Sequence, residues 1–175
     1  HAEIEDILVL KNNKGTEDNR VRKLDYSIQI SKLFYERLLA SEDISLFSPH
    51  EVPGLYDAFG TEAFDELYIK YEKNKNIRRK KVSAQDLFNN LLKERAETGR
   101  IYIMNIDHCN SHSSFKDKVN MSNLCQEITL PTVPIEHIDG NGEIALCILS
   151  AINVGQIKDL DELENLCDIA VRALD

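Results

Sequence analysis

Residues 81 to 107 read KVSAQDLFNNLLKERAETGRIYIMNID, and the change of period within them decides the fold class. From Ser83 onward the large apolar residues fall at Leu87, Phe88, Leu91 and Leu92, the spacing of one helical face. Ser83 stands where an N-cap hydroxyl accepts a backbone N–H, with Asp86 at the third helical position. Gly99 marks the stop, because a residue without Cβ readily takes the left-handed conformation that ends a helix. Beyond it, RIYIMNID (100–107) carries the β-branched and aromatic content of a strand. Helix passing to strand through one glycine is the unit from which α/β folds are built.

The alternation extends outward from this stretch. HAEIEDILVL (1–10) reads as the last turns of a helix and KNNKGTEDN (11–19) as an exposed polar loop. LDYSIQI (24–30) alternates as a strand and SKLFYERLLA (31–40) is an amphipathic helix. ISLFSPHEVPGLYDAFG (44–60) gives a short strand, a proline-containing turn and a short helix. TEAFDELYIKYEKN (61–74) is helical, with Phe64, Leu67 and Tyr71 on one stripe. Downstream, the polar HCNSHSSFKDKVNMS (108–122) leads to NLCQEITL (123–130), expected to be extended. DGNG (139–142) is a turn before EIALCILSAI (143–152), an apolar run fit for a buried strand or core helix. A last helix starts at Asp159, with Glu162 completing a capping box, and is expected to bury Leu160, Leu163, Leu166 and Ala170. The class is α/β, in one domain over 1–175 without repeats.

Bulk properties narrow the function. The 175 residues suffice for one domain with a real core, and 42% hydrophobic content is that of an ordinary globular protein. A net charge of −9 argues against general nucleic-acid binding, which needs a basic surface. No apolar run approaches the roughly 20 residues that span a bilayer. The four cysteines (109, 125, 147 and 167) form no CxxC pair or disulfide framework, so reduced thiols in the cytoplasm are expected. The chain opens and closes within amphipathic helical patterns, which suggests a piece of a longer polypeptide.

Three constellations invite chemistry and fit it poorly. DHCNSH (107–112) offers Asp107, His108, Cys109 and His112, all metal-ligand types, but its spacing matches no common zinc pattern. Hydrogen-bonding residues of a partly buried loop are the better reading. The basic run KNKNIRRKK (73–81) lacks interleaved aromatics and reads as a solvated loop. DGNG lacks the frame of a phosphate loop.

Asn123, Cys125 and Glu127 form a fourth. In an extended segment, residues two apart point the same way, so one face would carry an amide, a thiol and a carboxylate. Leu124 and Ile128 would then anchor the opposite face. A structural cysteine in an amphipathic strand fits the same pattern. If the thiol is chemical, Glu127 disfavours its thiolate. Cys125 would then suit hydrogen-atom exchange better than nucleophilic attack, with Glu127 as a general base. A cysteine hydrolase would instead require His108, His112 or His137 to meet Cys125.

MSNLCQEI (121–128), RIYIMNIDHCNSH (100–112) and EIALCILSAINVG (143–155) resemble the large (alpha) subunit of class I ribonucleoside-diphosphate reductases, nearest to the bacterial class Ia enzymes. The likeness runs through essentially the whole chain. It implies an internal portion of a catalytic domain, a ten-stranded α/β barrel whose central loop carries the active-site cysteine. By this resemblance Cys125 becomes a thiyl radical that removes the substrate's 3′ hydrogen. Glu127 takes the 3′-hydroxyl proton, and Asn123 hydrogen-bonds the substrate beside it. Cys147 matches one of the two redox cysteines that reduce the 2′ position, and its apolar neighbours Ile144, Leu146 and Ile148 suggest a buried thiol. Cys109 and Cys167 match no catalytic position and are expected to be buried and structural.

The implied partners are a ribonucleoside diphosphate substrate, a radical-generating small subunit, a second large subunit, and thioredoxin or glutaredoxin. The implied cofactors lie outside this segment: a metal/radical centre in the small subunit and ATP or deoxynucleotide effectors. The second redox cysteine falls upstream of His1 in the family, and the phosphate-holding loop and radical-relaying tyrosines fall beyond Asp175. The segment is therefore expected to be inactive alone. An alternative is a non-catalytic segment that only assembles with the rest of the subunit.

Overall fold

The computed structural model describes residues 1–175 apart from Asn13, Glu17, Asn19 and Arg22. Packing divides the chain into two compact units, His1–Thr132 and Val133–Asp175.

In the first unit, α1 (Ile4–Leu8) precedes β1 (Tyr26–Ile30), α2 (Lys32–Ala40) and β2 (Asp43–Leu46). Then come α3 (Leu55–Ala58), α4 (Ala63–Lys73), β3 (Lys80–Ser83), α5 (Ala84–Thr98), β4 (Ile101–Asn105) and α6 (Ile106–Ser111). Strands β1 and β4 pair in parallel, Tyr26 opposite Ile101 through Ile30 opposite Asn105. Strands β2 and β3 pair antiparallel, Asp43 opposite Ser83 through Leu46 opposite Lys80. The class is mixed α/β, and the strands close no barrel among the described residues.

Helix α5 is built as its sequence dictates. The Ser83 hydroxyl accepts the Asp86 N–H at 3.2 Å, and Gly99 ends the helix at φ 68°. Its buried face carries Leu87 and Leu91, packed with Leu8, Ile30, Phe34, Leu46, Ala84 and Ile101. Each such side chain contributes about 1.5–3 kcal/mol when fully buried. Leu92, expected on that face, is exposed, and Glu94 is buried instead. Asn12 makes this possible, since its Nδ2 donates to Glu94 Oε1 at 2.7 Å.

The polar stretch 11–19 is therefore not wholly exposed. Lys11 and Asn12 are buried, and Lys11 is ion-paired to Asp25. Asn13, Glu17 and Asn19 of that stretch lie outside the described residues. Ahead of the Ser83 cap the chain is a strand. The extended backbone of the Ser83 cap continues backward as β3, where β-branched Val82 pairs with Ile44.

A second core gathers Leu33, Phe47, Val52, Leu55, Phe64 and Tyr68. On α4 the buried aromatic beside Phe64 is Tyr68, whereas Leu67 and Tyr71 are half-buried. The Tyr68 hydroxyl accepts the Ser45 N–H and donates to the Ser45 carbonyl, both at 2.7 Å. In the basic run, Arg78 pairs with Glu51 at 3.2 Å and Lys80 pairs with Glu5.

The second unit holds α7 (Leu160–Leu174) and a bridge of Val133 to Glu143 around the turn at 137–140. Asp159 caps α7 by accepting the Glu162 N–H at 2.8 Å, while Glu162 reaches back to the Lys158 N–H. Leu163, Leu166 and Ala170 are half-buried, but Leu160 is exposed. The run 143–152 is neither buried strand nor core helix. Ile144, Leu146, Ile148 and Leu149 all stand exposed, because no strand of the described residues pairs with them. A unit this small has little interior to offer. Among the described residues, no helix is long and apolar enough to cross a membrane.

Candidate active site

The expected extended strand at 123–130 is instead a closed loop. The Gln126 N–H donates to the Asn123 carbonyl at 3.2 Å, and Gln126 adopts φ 68°, which ends any alternation. Asn123, Cys125 and Glu127 thus lie on and just after a turn and do not share the face of a strand. Cys125 is the third residue of that turn. It is exposed, as is Glu127, while Asn123 is half-buried. Leu124, expected as an anchor, is also exposed, and Ile128 is half-buried.

The loop is locked at its base. Asn123 Oδ1 accepts the Ile128 N–H at 3.0 Å and lies 3.0 Å from Ser122 Oγ. Ser122 Oγ donates to the Ile128 carbonyl at 2.6 Å. The two ends of the loop are therefore tied by side chains doing the work of a strand ladder, which suits short polar residues at turns.

Upstream, the stretch that looked like a metal motif bonds instead to backbone at Lys32 and Val119. Asp107 Oδ2 accepts the Lys32 N–H at the start of α2, at 2.6 Å. Asn110 grips the Val119 peptide from both sides, Oδ1 accepting its N–H at 2.8 Å and Nδ2 donating to its carbonyl at 3.1 Å. Val119 is fully buried against Met104 and Ile106, with Cys109 packed beside them. Burial pushes the Cys109 thiol above its ordinary range, keeping it S–H. His108 and His112 face each other edge-on, ring centroids 5.8 Å apart. Among the described residues, no group of three or more His, Cys, Asp or Glu side chains could hold a metal ion.

Helix α6 can approach the α3–α4 turn because Gly60 lies beneath it. A Cβ there would meet Ile106 Cγ1 at 2.5 Å, and φ is +79°. A polar cleft of about 590 Å³ opens beside α6, lined by Asp65, Asp107, His108 and Lys118 among others. Burial, then the nearby Asp107, raises the Asp65 carboxyl above its usual range. None of Asn123, Cys125 or Glu127 lines this cleft.

Cys147 and Cys167 belong to the second unit, and both are exposed free thiols. The expected burial of each fails for the reason given for 143–152. Sequence reading did not single out Tyr102, a half-buried side chain of β4. The phenol's ionisation is raised above the tyrosine range, first by the charge of Cys125, then by a hydrogen bond to it. The signal was present in RIYIMNID: Tyr102 and Met104 alternate with Ile101 and Ile103, marking a second, less aliphatic face.

Comparison with known proteins covers the whole chain. Residues 1–175 match the family model described as "Ribonucleotide reductase, barrel domain". The chain is 59% identical over 181 positions to the ribonucleoside-diphosphate reductase subunit alpha of Buchnera aphidicola subsp. Schizaphis graminum, and 58% identical to that of Haemophilus influenzae. Each alignment takes in 100% of this chain and 24% of the relative. The Escherichia coli ribonucleoside-diphosphate reductase 1 subunit alpha is 60% identical over 140 residues, 77% of this chain and 18% of the relative. The chain thus spans about a quarter of the length of relatives that match it throughout.

Proposed function

This chain belongs to the family of ribonucleotide reductase barrel domains, and we propose that it carries the radical-bearing loop of a ribonucleoside-diphosphate reductase large subunit. In this reading residues 1–175 are an internal portion of one catalytic domain, a ten-stranded α/β barrel with Cys125 on its central loop. The substrate is a ribonucleoside diphosphate and the product its 2′-deoxy counterpart, for DNA synthesis. The working assembly is cytoplasmic. It includes a second large subunit and a small subunit that supplies the oxidising equivalent. Thioredoxin or glutaredoxin restores the thiols, and ATP and deoxynucleotides regulate the whole.

The observation that carries the reading is the closed turn at 123–126, which presents an exposed thiol between a fixed amide and a free carboxylate. As a thiyl radical, Cys125 takes the 3′ hydrogen atom, forming S–H and leaving the substrate radical at C3′. Glu127 accepts the 3′-hydroxyl proton, which lets the 2′ oxygen depart as water after protonation. Two further thiols supply the two electrons and two protons that the reduction needs and become a disulfide. Cys147 is one of them and its mate is a cysteine elsewhere in the subunit. Cys125 finally returns its hydrogen to C3′, so the radical is conserved. Asn123 has its Oδ1 engaged by the Ile128 N–H, so its NH₂ is the face left for a substrate oxygen.

The test uses the intact large subunit with its small subunit. Cys125→Ser should bind substrate nearly normally and abolish turnover, because a hydroxyl O–H is too strong a bond to serve as the carrier. Glu127→Gln should keep the side chain's shape and slow turnover by 10²–10⁴-fold, the usual range for a lost general base. Normal turnover by either variant refutes the assignment of that residue.

A further inference from the structure

At φ 68° Gln126 sits in the left-handed region, which a residue with a Cβ enters against a steric penalty. Its own side chain holds it there. The backbone N–H and the side-chain Nε2 of Gln126 both donate to the Asn123 carbonyl, each at 3.2 Å. A carbonyl oxygen has two lone pairs and can take both. Folding the amide back over the turn leaves Gln126 Oε1 buried, with no donor to it among the described residues. An unpaired buried amide oxygen opposes folding, so this placement is not one that stability alone selects.

Cys125 is the residue that the doubled bond governs. It lies within the turn and is joined to Gln126 by one rigid peptide plane. The base of the loop is tied, because Asn123 Oδ1 accepts the Ile128 N–H at 3.0 Å and Ser122 Oγ donates to the Ile128 carbonyl at 2.6 Å. With both ends fixed, a change of φ at 126 cannot pass along the chain. Its neighbours must absorb it, Cys125 among them. We propose that Gln126 is a positioning residue for Cys125, its side-chain amide doubling the bond to the Asn123 carbonyl and so holding the left-handed turn that fixes where the thiol points. The proposal rests on the reading of Cys125 as the radical carrier. Hydrogen-atom transfer needs the sulfur close to C3′, so a turn that relaxes loses rate rather than substrate affinity.

The experiment compares Gln126→Ala, Gln126→Gly and Gln126→Met in the intact large subunit, assayed with its small subunit. Alanine and glycine both lack the amide and differ only in the Cβ that makes a positive φ unfavourable. Gln126→Ala should lower kcat about tenfold, the effect of one lost hydrogen bond with the left-handed penalty left unopposed, and KM should stay within about twofold. Gln126→Gly should stand at least about threefold above Gln126→Ala, since glycine takes that φ freely. Gln126→Met keeps the length of the side chain and removes both the donor and the unpaired oxygen. It should lose kcat as Gln126→Ala does without a fall in thermal midpoint, a split that a merely structural role would not give. It also takes the place of Gln126→Ala if that variant fails to fold. Wild-type kcat in Gln126→Ala and Gln126→Met overturns the proposal, and so does a glycine variant no faster than alanine. A thermal midpoint that falls along with kcat in Gln126→Met overturns it, as does a raised KM at unchanged kcat, since Gln126 would then bind substrate directly. If Cys125→Ser turns over, the reading of Cys125 fails whatever Gln126 does. If Cys125→Ser is dead and the Gln126 variants are normal, only the role of Gln126 falls.

Discussion

Replacing Asn110 by alanine tests whether the reactive loop is held from outside itself. The Asn110 amide makes both hydrogen bonds of the Val119 peptide, at 2.8 and 3.1 Å, and Val119 is fully buried. Alanine leaves that N–H and carbonyl unpaired in a place water does not reach. Two such bonds with buried partners cost about 3 kcal/mol together. Alanine is the better helix former within α6, which returns about 0.6 kcal/mol. The net loss of about 2.4 kcal/mol corresponds to roughly 50-fold easier local opening, at 1.4 kcal/mol per tenfold. Amide hydrogen exchange by mass spectrometry on the intact subunit reads this directly. Peptides covering 119–128 should lose protection roughly 50-fold, while those covering α5 should stay unchanged. Asn110→Asp keeps the acceptor for the Val119 N–H but loses the donor, so it should fall between. Protection of 119–128 within threefold of wild type in Asn110→Ala would refute the idea that Asn110 holds the loop.

Two further outcomes follow from the surroundings. Gly60→Ala should destabilise the α3–α4 turn against α6 by about 2–4 kcal/mol, combining left-handed strain with a Cβ placed 2.5 Å from Ile106 Cγ1; a fall in thermal midpoint together with faster exchange in 106–111 checks it. Burial opposes the Glu72 carboxylate, but its hydrogen bonds, chiefly to Arg37, and the Arg37 charge hold its ionisation below the usual range. Its stabilising share is thus present above the ordinary glutamate value of about 4.3 and lost as pH falls through the lower folded value. The difference in thermal midpoint between wild type and Glu72→Gln should therefore shrink from pH 7 to pH 3.

Local signals carried most of the first unit. Ser83, Asp86 and Gly99 define α5 because caps act within a few residues, and the stop at Gly99 places β4 immediately after it. Burial was harder to read. Glu94 lies inside and Leu92 outside because Asn12, 82 residues away, supplies the partner that a buried carboxylate needs. The trio was expected on one face of an extended chain, and the chain there is a turn. Alternation assumed an extended chain, and the left-handed backbone at Gln126 has no residue signature, since neither glycine nor asparagine occupies that position. DHCNSH misled in a similar way. Its side chains are ligand types, yet Asp107 bonds to the Lys32 backbone and Asn110 to that of Val119, which spacing alone does not disclose. The apolar run 143–152 shows a limit of another kind. Hydropathy reports what a segment would bury, and burial needs a partner surface.

The base of the loop fixes what Asn123 can offer. The Ile128 N–H is a donor, so the atom facing it across 3.0 Å must be the amide oxygen, and the orientation of the side chain follows without ambiguity. That oxygen is engaged by the Ile128 N–H, so the NH₂ group is the end left to meet a ligand. In the proposed site Asn123 would therefore be the donor. The exposed Glu127 carboxylate can only accept. A hydroxyl held between them would receive a hydrogen bond from one and give its proton to the other, so its oxygen is oriented before any proton moves. Aspartate at 123 would still hold the Ile128 N–H but would add a second acceptor where a donor is required, leaving that hydroxyl with nowhere to take a hydrogen bond. The loop's closure and the polarity of its opening thus depend on the same amide.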